Sequence, residues 1–276
     1  MRLFVVRFFT LISLALATTS LAASAADRDK VAAFVDVIGF DVALESLELS
    51  AFNAPAMLGI DPGSLGPAWQ ASVSRTFDKD KLVAEAIDIL AATLSDDMLN
   101  HGADFYASEL GQRIVEAENI SHLDESPDQT AQGEALVAGF LEAGSPRPDM
   151  FRAMQDAIGG AESSVNAWIE LQIRFVTAAD VAGVLDLKVR PGVLRGELEA
   201  RTPQMLKEIE ASALASSAWT YRIFSDEEVN AYVRALEAPK MQLVYQLLSA
   251  TQFELQAARY EVLAQRLLDI YSGQEL

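Results

Sequence analysis

Residues 240–271 read KMQLVYQLLSATQFELQAARYEVLAQRLLDIY and contain neither proline nor glycine. Because those two residues most often interrupt a helix, the stretch predicts one helix of about 30 residues, roughly 45 Å long. Pro239 precedes it and suits a first helical turn. A helix with a broad apolar surface is stabilised mainly by packing, so we expect it to pack against the first half of the chain or against a second copy, as a homodimer. Its apolar side chains are Leu243, Leu247, Phe253, Tyr260, Leu263 and Leu267.

The rest of the chain also favours helices. The nine prolines leave two long gaps, 68–126 and 149–190, and both are rich in alanine, leucine, glutamate and glutamine. No stretch alternates apolar and polar residues in the manner of a strand, and no Asn-Gly or Asp-Gly hairpin turn occurs. The sequence therefore predicts an all-α fold.

Three segments near the beginning can be assigned from their periodicity. Residues 28–52 predict one helix with an apolar stripe, and residues 68–93 predict another. Between them, residues 53–67 hold three prolines and three glycines and predict a loop. The apolar side chains of this loop either pack onto the core or line a binding surface. They are Met57, Leu58, Ile60 and Leu65.

One part of the chain resembles another. Residues 94–100 (LSDDMLN) align with residues 224–230 (FSDEEVN) at an offset of 130, and each starts an amphipathic helix with a serine cap. Ser225 and Glu228 can form a complete capping box, whereas in the first copy Met98 leaves Ser95 alone as the cap. Upstream, residues 36–39 (DVIG) resemble 156–159 (DAIG) at an offset of 120, so about ten extra residues are expected near 187–203.

These patterns predict a helical bundle built from two similar multi-helix units. We place the first unit at residues 26–119 and the second at 149–276. The connector, 120–148, is richer in proline and glycine and has one short helical candidate at 132–142.

The N-terminus predicts export. Arg2 and Arg7 precede an apolar run, and Ala23-Ser24-Ala25 supplies the small residues that a signal peptidase reads. We therefore expect residues 1–25 to be a signal peptide cleaved after Ala25, leaving a periplasmic or secreted protein. The apolar run is too short to span a bilayer, no later segment is long enough, and no cysteine is present to carry a lipid anchor.

The composition limits the partners. The full chain carries a formal net charge of −19, and removal of Arg2 and Arg7 with the signal peptide makes it −21. This charge argues against nucleic acid, whose phosphates require a basic surface, and against an anionic membrane surface. An exported protein without cysteine cannot use disulfides and must be held together by its core.

The segment around Phe105 resembles a known bacterial family. Phe105-Tyr106, followed by Gly111 and Gln112, is similar to a motif of the secreted family called domain of unknown function 2059. Glu109 stands where that motif usually has proline. In the second copy Phe224-Ser225 and Pro239 match, but Met241 replaces the glycine. The resemblance implies a helical periplasmic protein and supplies no activity and no catalytic residues.

No motif in the sequence identifies a catalytic, cofactor or metal site, and we predict none. The two histidines, His101 and His122, are 21 residues apart and have no cysteine beside them, which disfavours zinc. His101 and Asp104 could form an acid–base pair one helical turn apart, but a solvated helix face is the more common arrangement. Residues 78–80 (DKD) lack the later ligands of a calcium loop.

Three functions remain compatible with these residues. The first hypothesis is a non-enzymatic protein that binds another protein or an envelope component. The alternative is a carrier or sensor with an apolar groove between the halves for a small hydrophobic ligand. The third is a hydrolase that uses paired carboxylates. For the three tryptophans, core packing is the expectation: Trp69, Trp168 and Trp219.

Overall fold

The computed structural model describes residues 26–124, 127–184 and 190–272. Within these ranges the chain is helical and has no strand, which confirms the all-α prediction. The proposed signal peptide lies outside the described residues. None of the described helices is long and apolar enough to cross a bilayer.

The helices are named in chain order. Those of the first part are α1 (Arg28–Val37), α2 (Phe40–Glu45), α3 (Leu47–Ala51), the 3-10 helices η1 (Ala54–Leu58) and η2 (Pro62–Leu65), α4 (Gly66–Thr76), α5 (Lys79–Thr93), α6 (Asp96–Tyr106) and α7 (Glu109–Leu123). The remainder are α8 (Pro127–Glu142), α9 (Arg147–Ala157), α10 (Gly160–Ala182), α11 (Pro191–Glu199), α12 (Thr202–Thr220), α13 (Asp226–Leu236) and α14 (Pro239–Ser272).

The last helix, α14, is the long helix that residues 240–271 predict. It has 34 residues, begins at Pro239 and is therefore about 51 Å long. It packs against α4, α5, α6 and α10, so it contacts the first half of the chain as expected. Leu263 and Leu267 are completely buried, whereas Leu243, also expected on the apolar surface, is 44% exposed.

The prediction of a single helix over 28–52 was wrong, because the chain turns at Gly39. Gly39 has φ 68°, a left-handed conformation that glycine adopts without strain, and it separates α1 from α2. A Cβ atom there would lie 2.4 Å from Oδ1 of Asn119, so the turn also brings α7 close. Beyond Gly39 a different set of residues faces the core, and Val42 and Leu49 are only half-buried. The stripe becomes Phe40, Leu44, Leu47 and Ala51.

The stretch 68–93 is likewise two helices rather than one. The break falls at Phe77 and Asp78, and the carboxylate of Asp78 accepts a hydrogen bond from the backbone N–H of Lys81, at 3.1 Å, as the N-cap of α5. This side chain offers the backbone an alternative to a continuous helix. On α5, Leu82 is buried and Val83 is half-buried.

The proline-rich loop packs onto the core. Ile60 and Leu65 are buried, and Met57 and Leu58 pack against the same cluster. These contacts favour the first of the two alternatives left open for its apolar side chains.

The connector contains more helix than predicted. Instead of a short helix at 132–142, α8 begins at Pro127, where a missing N–H is tolerated, and packs along α12. Gly133 permits this approach, because a Cβ atom there would lie 2.2 Å from the carbonyl oxygen of Ala215. The insertion expected near 187–203 contains α11, and part of it lies outside the described residues.

The apolar core joins the two halves of the chain. The largest cluster combines residues of α1 to α6 with residues of α10 and α14. A second cluster combines α6 and α7 with α9, α12, α13 and the start of α14. The predicted units, 26–119 and 149–276, therefore share their hydrophobic cores in the described structure.

The predicted helix caps are present. The hydroxyl of Ser95 accepts a hydrogen bond from the N–H of Met98. Ser225 and Glu228 form the complete capping box at the start of α13. Each such cap satisfies N–H groups that have no partner within the helix.

The close approach of α8 to α12 gives a testable pair of substitutions. Gly133→Ala should lower the free energy of unfolding by about 1–3 kcal/mol, because its methyl group would collide with backbone. Gly139→Ala, at an open position of the same helix, should leave stability unchanged or raise it by up to about 1 kcal/mol. Urea denaturation measures both, and equal effects would contradict the close packing.

Candidate functional site

A cavity of about 380 Å³ lies where the two halves of the chain meet. Its walls come from the junction of α1 and α2, from α7 and α9, and from α12 to α14. Three buried apolar side chains form part of the cavity wall: Phe40, Met154 and Leu248. The cavity is therefore in the region where the sequence predicts a groove for a small ligand.

A carboxylate stands in the wall of this cavity. Glu118 follows Gly111, Ile114 and Val115 on the buried face of α7, one turn beyond the apolar positions. Helical spacing directs it inward, where an apolar residue would be the usual choice. One of its oxygens, Oε1, accepts hydrogen bonds from the hydroxyls of Tyr221, at 2.6 Å, and Tyr232, at 2.9 Å.

Two more tyrosines extend this hydrogen-bonded group. The hydroxyl oxygen of Tyr232 lies 3.0 Å from that of Tyr106 and 3.2 Å from that of Tyr245. Tyr106 and Tyr245 are also in hydrogen-bond contact with each other. We call Glu118 and these four tyrosines, 106, 221, 232 and 245, the tyrosine cluster.

The donors and acceptors of the tyrosine cluster can be assigned by counting the hydroxyl protons. Each hydroxyl has one proton to donate. Tyr232 donates its proton to Glu118, so it can only accept from Tyr106 and Tyr245. Tyr106 and Tyr245 have two protons between them. They take part in three contacts, one from each of them to Tyr232 and one with each other. The donated protons therefore converge on the carboxylate.

Burial shifts the titration of the whole cluster. Burial raises the pKa of the Glu118 carboxyl, and the hydrogen bonds from Tyr221 and Tyr232 oppose that rise. Burial also raises the pKa values of the four tyrosine hydroxyls, with the nearby charge of Glu118 as a further cause. The tyrosines consequently remain neutral donors around one acidic group.

The motif that resembles the bacterial family positions Tyr106. Ser108 caps α7 by accepting a hydrogen bond from the N–H of Gly111. A Cβ atom on Gly111 would lie 2.3 Å from the carbonyl oxygen of Phe105, so the turn between α6 and α7 requires glycine. Gln112 donates from Nε2 to the carbonyl oxygen of Tyr106, at 2.7 Å. The motif thus fixes the position of Tyr106, the last residue of α6, within the tyrosine cluster.

A buried arginine positions Tyr221 from the other side. The guanidinium of Arg147 donates to the carbonyl oxygens of Tyr221, at 3.2 Å, and Phe224. It also pairs with Asp226, at 2.7 Å, in the first turn of α13. Because Arg147 is only 9% exposed, these bonds hold the turn between α12 and α13 in a largely desolvated environment.

The residues singled out in the sequence are mostly elsewhere. His101 is half-buried and Asp104 is exposed on α6, with no hydrogen bond between them in the described part of the chain. His122, near the end of α7, lines the cavity. Within the described residues, no group of three or more histidine, aspartate or glutamate side chains is placed to hold a metal ion.

The tryptophans follow the core-packing expectation in two cases of three. Trp69 is buried and donates from Nε1 to the carbonyl oxygen of Phe52, at 2.9 Å. Trp219 is buried, and the Arg222 guanidinium lies 3.8 Å from the centre of its ring. Trp168 is 36% exposed and corrects the expectation for that residue.

The sequence analysis missed Glu118 and the tyrosines. One usable signal was an acid at position 118, where the stripe of α7 calls for an apolar residue. The other was the clustering of three tyrosines, 221, 232 and 245, within 25 residues of a chain that has six in all. Neither signal shows which side chains meet, because the partners come from different helices.

The described residues form an all-α protein with a cavity between its halves. Residues 80–136, from α5 into α8, match the model of a family described as an uncharacterized protein conserved in bacteria (DUF2059). This match confirms the resemblance drawn from Phe105, Tyr106, Gly111 and Gln112, and it also includes Glu118. The second copy of the motif lies outside the matched range. Comparison with characterised proteins and with solved structures found no match.

The raised pKa of Glu118 makes a prediction about stability. Above the raised pKa the half-buried carboxylate is ionised, and its partial desolvation lowers the stability of the folded protein. Glu118→Gln keeps an acceptor for both tyrosines without the charge. We therefore expect this variant to melt at a higher temperature than the parent at pH 8. The difference should shrink as the pH falls toward 4.5, the ordinary value for glutamate.

Glu116→Gln is the matched control, because Glu116 is exposed two residues earlier on the same helix. Thermal unfolding followed by circular dichroism at several pH values compares the three proteins. A melting difference between parent and Glu118→Gln that does not depend on pH would contradict the assignment of Glu118 as a half-buried carboxylate whose charge destabilises the fold.

Proposed function

We propose that this protein binds a small molecule in the cavity between its two halves and acts as a carrier or a sensor in the cell envelope. The observation that carries the proposal is the combination of apolar walls with a set of polar side chains that includes Glu118 and its tyrosine partners. Ligand sites usually have this composition: most of the wall is apolar, and a few polar groups fix the orientation of the ligand.

The size of the cavity supports a small ligand. A volume of about 380 Å³ is at the lower end of the range for small-molecule sites. A neighbouring cavity of about 580 Å³ shares four lining residues with it: Gln155, Ile158, Ser249 and Gln252. A longer molecule could therefore extend from one cavity toward the other.

The polar groups of the wall also support binding. Gln155 has a buried side-chain nitrogen, Nε2, with no hydrogen-bond partner in the described structure. A buried polar group without a partner costs about 1–3 kcal/mol. A bound molecule that offers an acceptor to this nitrogen would recover that free energy.

A purely structural role explains the tyrosine cluster less well. Replacing buried ionic groups with apolar residues of similar volume is often neutral or stabilising. A carboxylate whose burial raises its pKa is therefore a poor choice for stability alone. An acid in a cleft whose pKa is raised by burial is a candidate for a functional site.

The first hypothesis from the sequence, a protein or envelope partner, has weaker support. The large apolar side chains that are exposed are distributed over many helices, and single exposed apolar residues are common on protein surfaces. The homodimer through α14 and the hydrolase remain predictions. Glu118 is the one carboxylate among the described residues that line the cavity, so the cavity offers no carboxylate pair.

We also propose that the two halves arose from one duplicated unit. The helices α6 and α13 have 11 residues each and begin 130 residues apart. The helices α7 and α14 also begin 130 residues apart. The N-terminal parts of α7 and α14 each form an ion pair with a helix of the other half. Arg113 of α7 pairs with Glu228 of α13, at 2.5 Å, and Lys240 of α14 pairs with Asp97 of α6, at 2.8 Å. These exposed pairs contribute little energy, but their placement supports two related hairpins packed face to face.

Export remains part of the proposal. Ala26 would be the first residue after cleavage, and it is buried, with its nitrogen 3.0 Å from the carbonyl oxygen of Ala91. Asp27 then caps α1. A chain that begins at Ala26 would place its α-ammonium group on that carbonyl, in a charge-assisted hydrogen bond.

A filled cavity should abolish ligand binding. Native mass spectrometry of protein recovered gently from the envelope should show a small-molecule adduct. Ser217→Phe, which places a ring on the cavity wall, should remove it. Ser212→Phe, at an exposed position of the same helix, should retain it. The proposal fails if no adduct is found and no member of a fragment library raises the melting temperature.

Signal cleavage can be tested independently. The exported protein should begin at Ala26 when its N-terminus is read by mass spectrometry. Ala25→Phe should block processing because the peptidase requires a small residue there, whereas Ser24→Phe, between the two recognised positions, should be processed. Export of an uncleaved parent chain would contradict the prediction.

A further inference from the structure

The charge of the cavity is unbalanced. Glu118 is the one carboxylate among its described lining residues, and neither lysine nor arginine occurs there. The ion pairs among the described residues join basic side chains to other acids, and none of these pairs includes Glu118. His122 is the one ionisable base in the wall. Burial lowers the pKa of His122, which disfavours its cationic form, and an ionised Glu118 has no cationic partner among the described residues.

Hydrogen bonds from the described residues reach only one of the two carboxylate oxygens of Glu118. Its Oε1 atom accepts from both Tyr221 and Tyr232, while its Oε2 atom has no partner among the described residues. An ionised carboxylate has no proton to donate, so it can only accept hydrogen bonds. A group that binds at Oε2 must therefore donate a hydrogen bond, and a positively charged donor would also balance the charge.

The apolar walls of the cavity favour a ligand that carries an apolar organic group beside its hydrogen-bond donor. Phe40, Met154 and Leu248 are apolar and form part of the cavity surface. A bare metal ion would leave these walls uncovered. It would also find one carboxylate, where a hard cation such as calcium takes six to eight oxygen ligands.

Resting on the proposed function, we infer that the ligand is a small organic amine. Its ammonium group donates to Oε2 of Glu118, and its apolar part lies against Phe40 and Met154. The converging tyrosine protons hold the carboxylate in place for this contact.

A matched series of probes tests the inference: 2-phenylethylamine, 2-phenylethanol and phenylacetate. They share one apolar body and differ in carrying a cationic donor, a neutral donor or an anion. We expect calorimetric titration at pH 7.5 to show 2-phenylethylamine binding at least about tenfold more tightly than 2-phenylethanol, because charge-assisted hydrogen bonds are about twice as strong as neutral ones. Phenylacetate should bind most weakly.

Two variants separate the site from the general acidity of the protein. In Glu118→Gln the preference for 2-phenylethylamine over 2-phenylethanol should fall to within about threefold, the ratio expected when only neutral hydrogen bonds remain. Glu116→Gln removes the same charge from the exposed face of α7 and should retain the full preference. Circular dichroism establishes that both variants are folded.

The outcomes distinguish this inference from the proposed function. Equal or tighter binding of 2-phenylethanol or phenylacetate overturns the amine and leaves a small-molecule site in place. Stabilisation by calcium chloride that exceeds that of 2-phenylethylamine also overturns it. A tenfold preference that persists in Glu118→Gln assigns the effect to surface charge and overturns the role of Glu118. If none of the probes binds, the amine inference fails, and the adduct experiment with Ser217→Phe decides the proposed function separately.

Discussion

The packing of α14 against helices from the beginning of the chain is the constraint on which the other features depend. Leu263 and Leu267 are buried in a cluster that also contains Val31 of α1 and Leu82 of α5. A helix of this length has apolar surface that water disfavours, and the first half supplies the matching surface. This contact makes the two halves one packed body and sets the position of every residue that α14 carries, including Tyr245 and Leu248.

The polar interior is a consequence of that arrangement. The tyrosine cluster draws its members from α6, α7, the end of α12, α13 and α14, so no single helix can form it. Glu118 accepts hydrogen bonds from two of these places, the end of α12 and α13. Since a buried carboxylate is stabilised only by well-placed partners, the geometry of the cluster and the docking of α14 support each other. The cavity beside Glu118 is the space that remains where the hairpins of the two halves meet.

The sequence predicted most of the helices and their types, and its errors have local causes. Residues 28–52 carry enough apolar periodicity to predict one helix, but Gly39 adopts a left-handed conformation to meet Asn119, and periodicity does not reveal such a turn. Asp78 ends the helix at 68–93 because it caps α5. The helix α8 exceeds its predicted length because packing on α12 stabilises a segment whose composition is only moderately helical.

The sequence by itself determined the helical class, the long final helix, the serine caps and the motif around Phe105. All of these are properties of residues within a few turns of one another, where spacing is fixed by helix geometry. Only the tertiary structure decided that Glu118 meets Tyr221 and Tyr232, more than 100 residues away, and that a cavity lies beside them. Such meetings depend on the relative placement of helices, which is set by the combined packing of many side chains and by no single stretch of sequence.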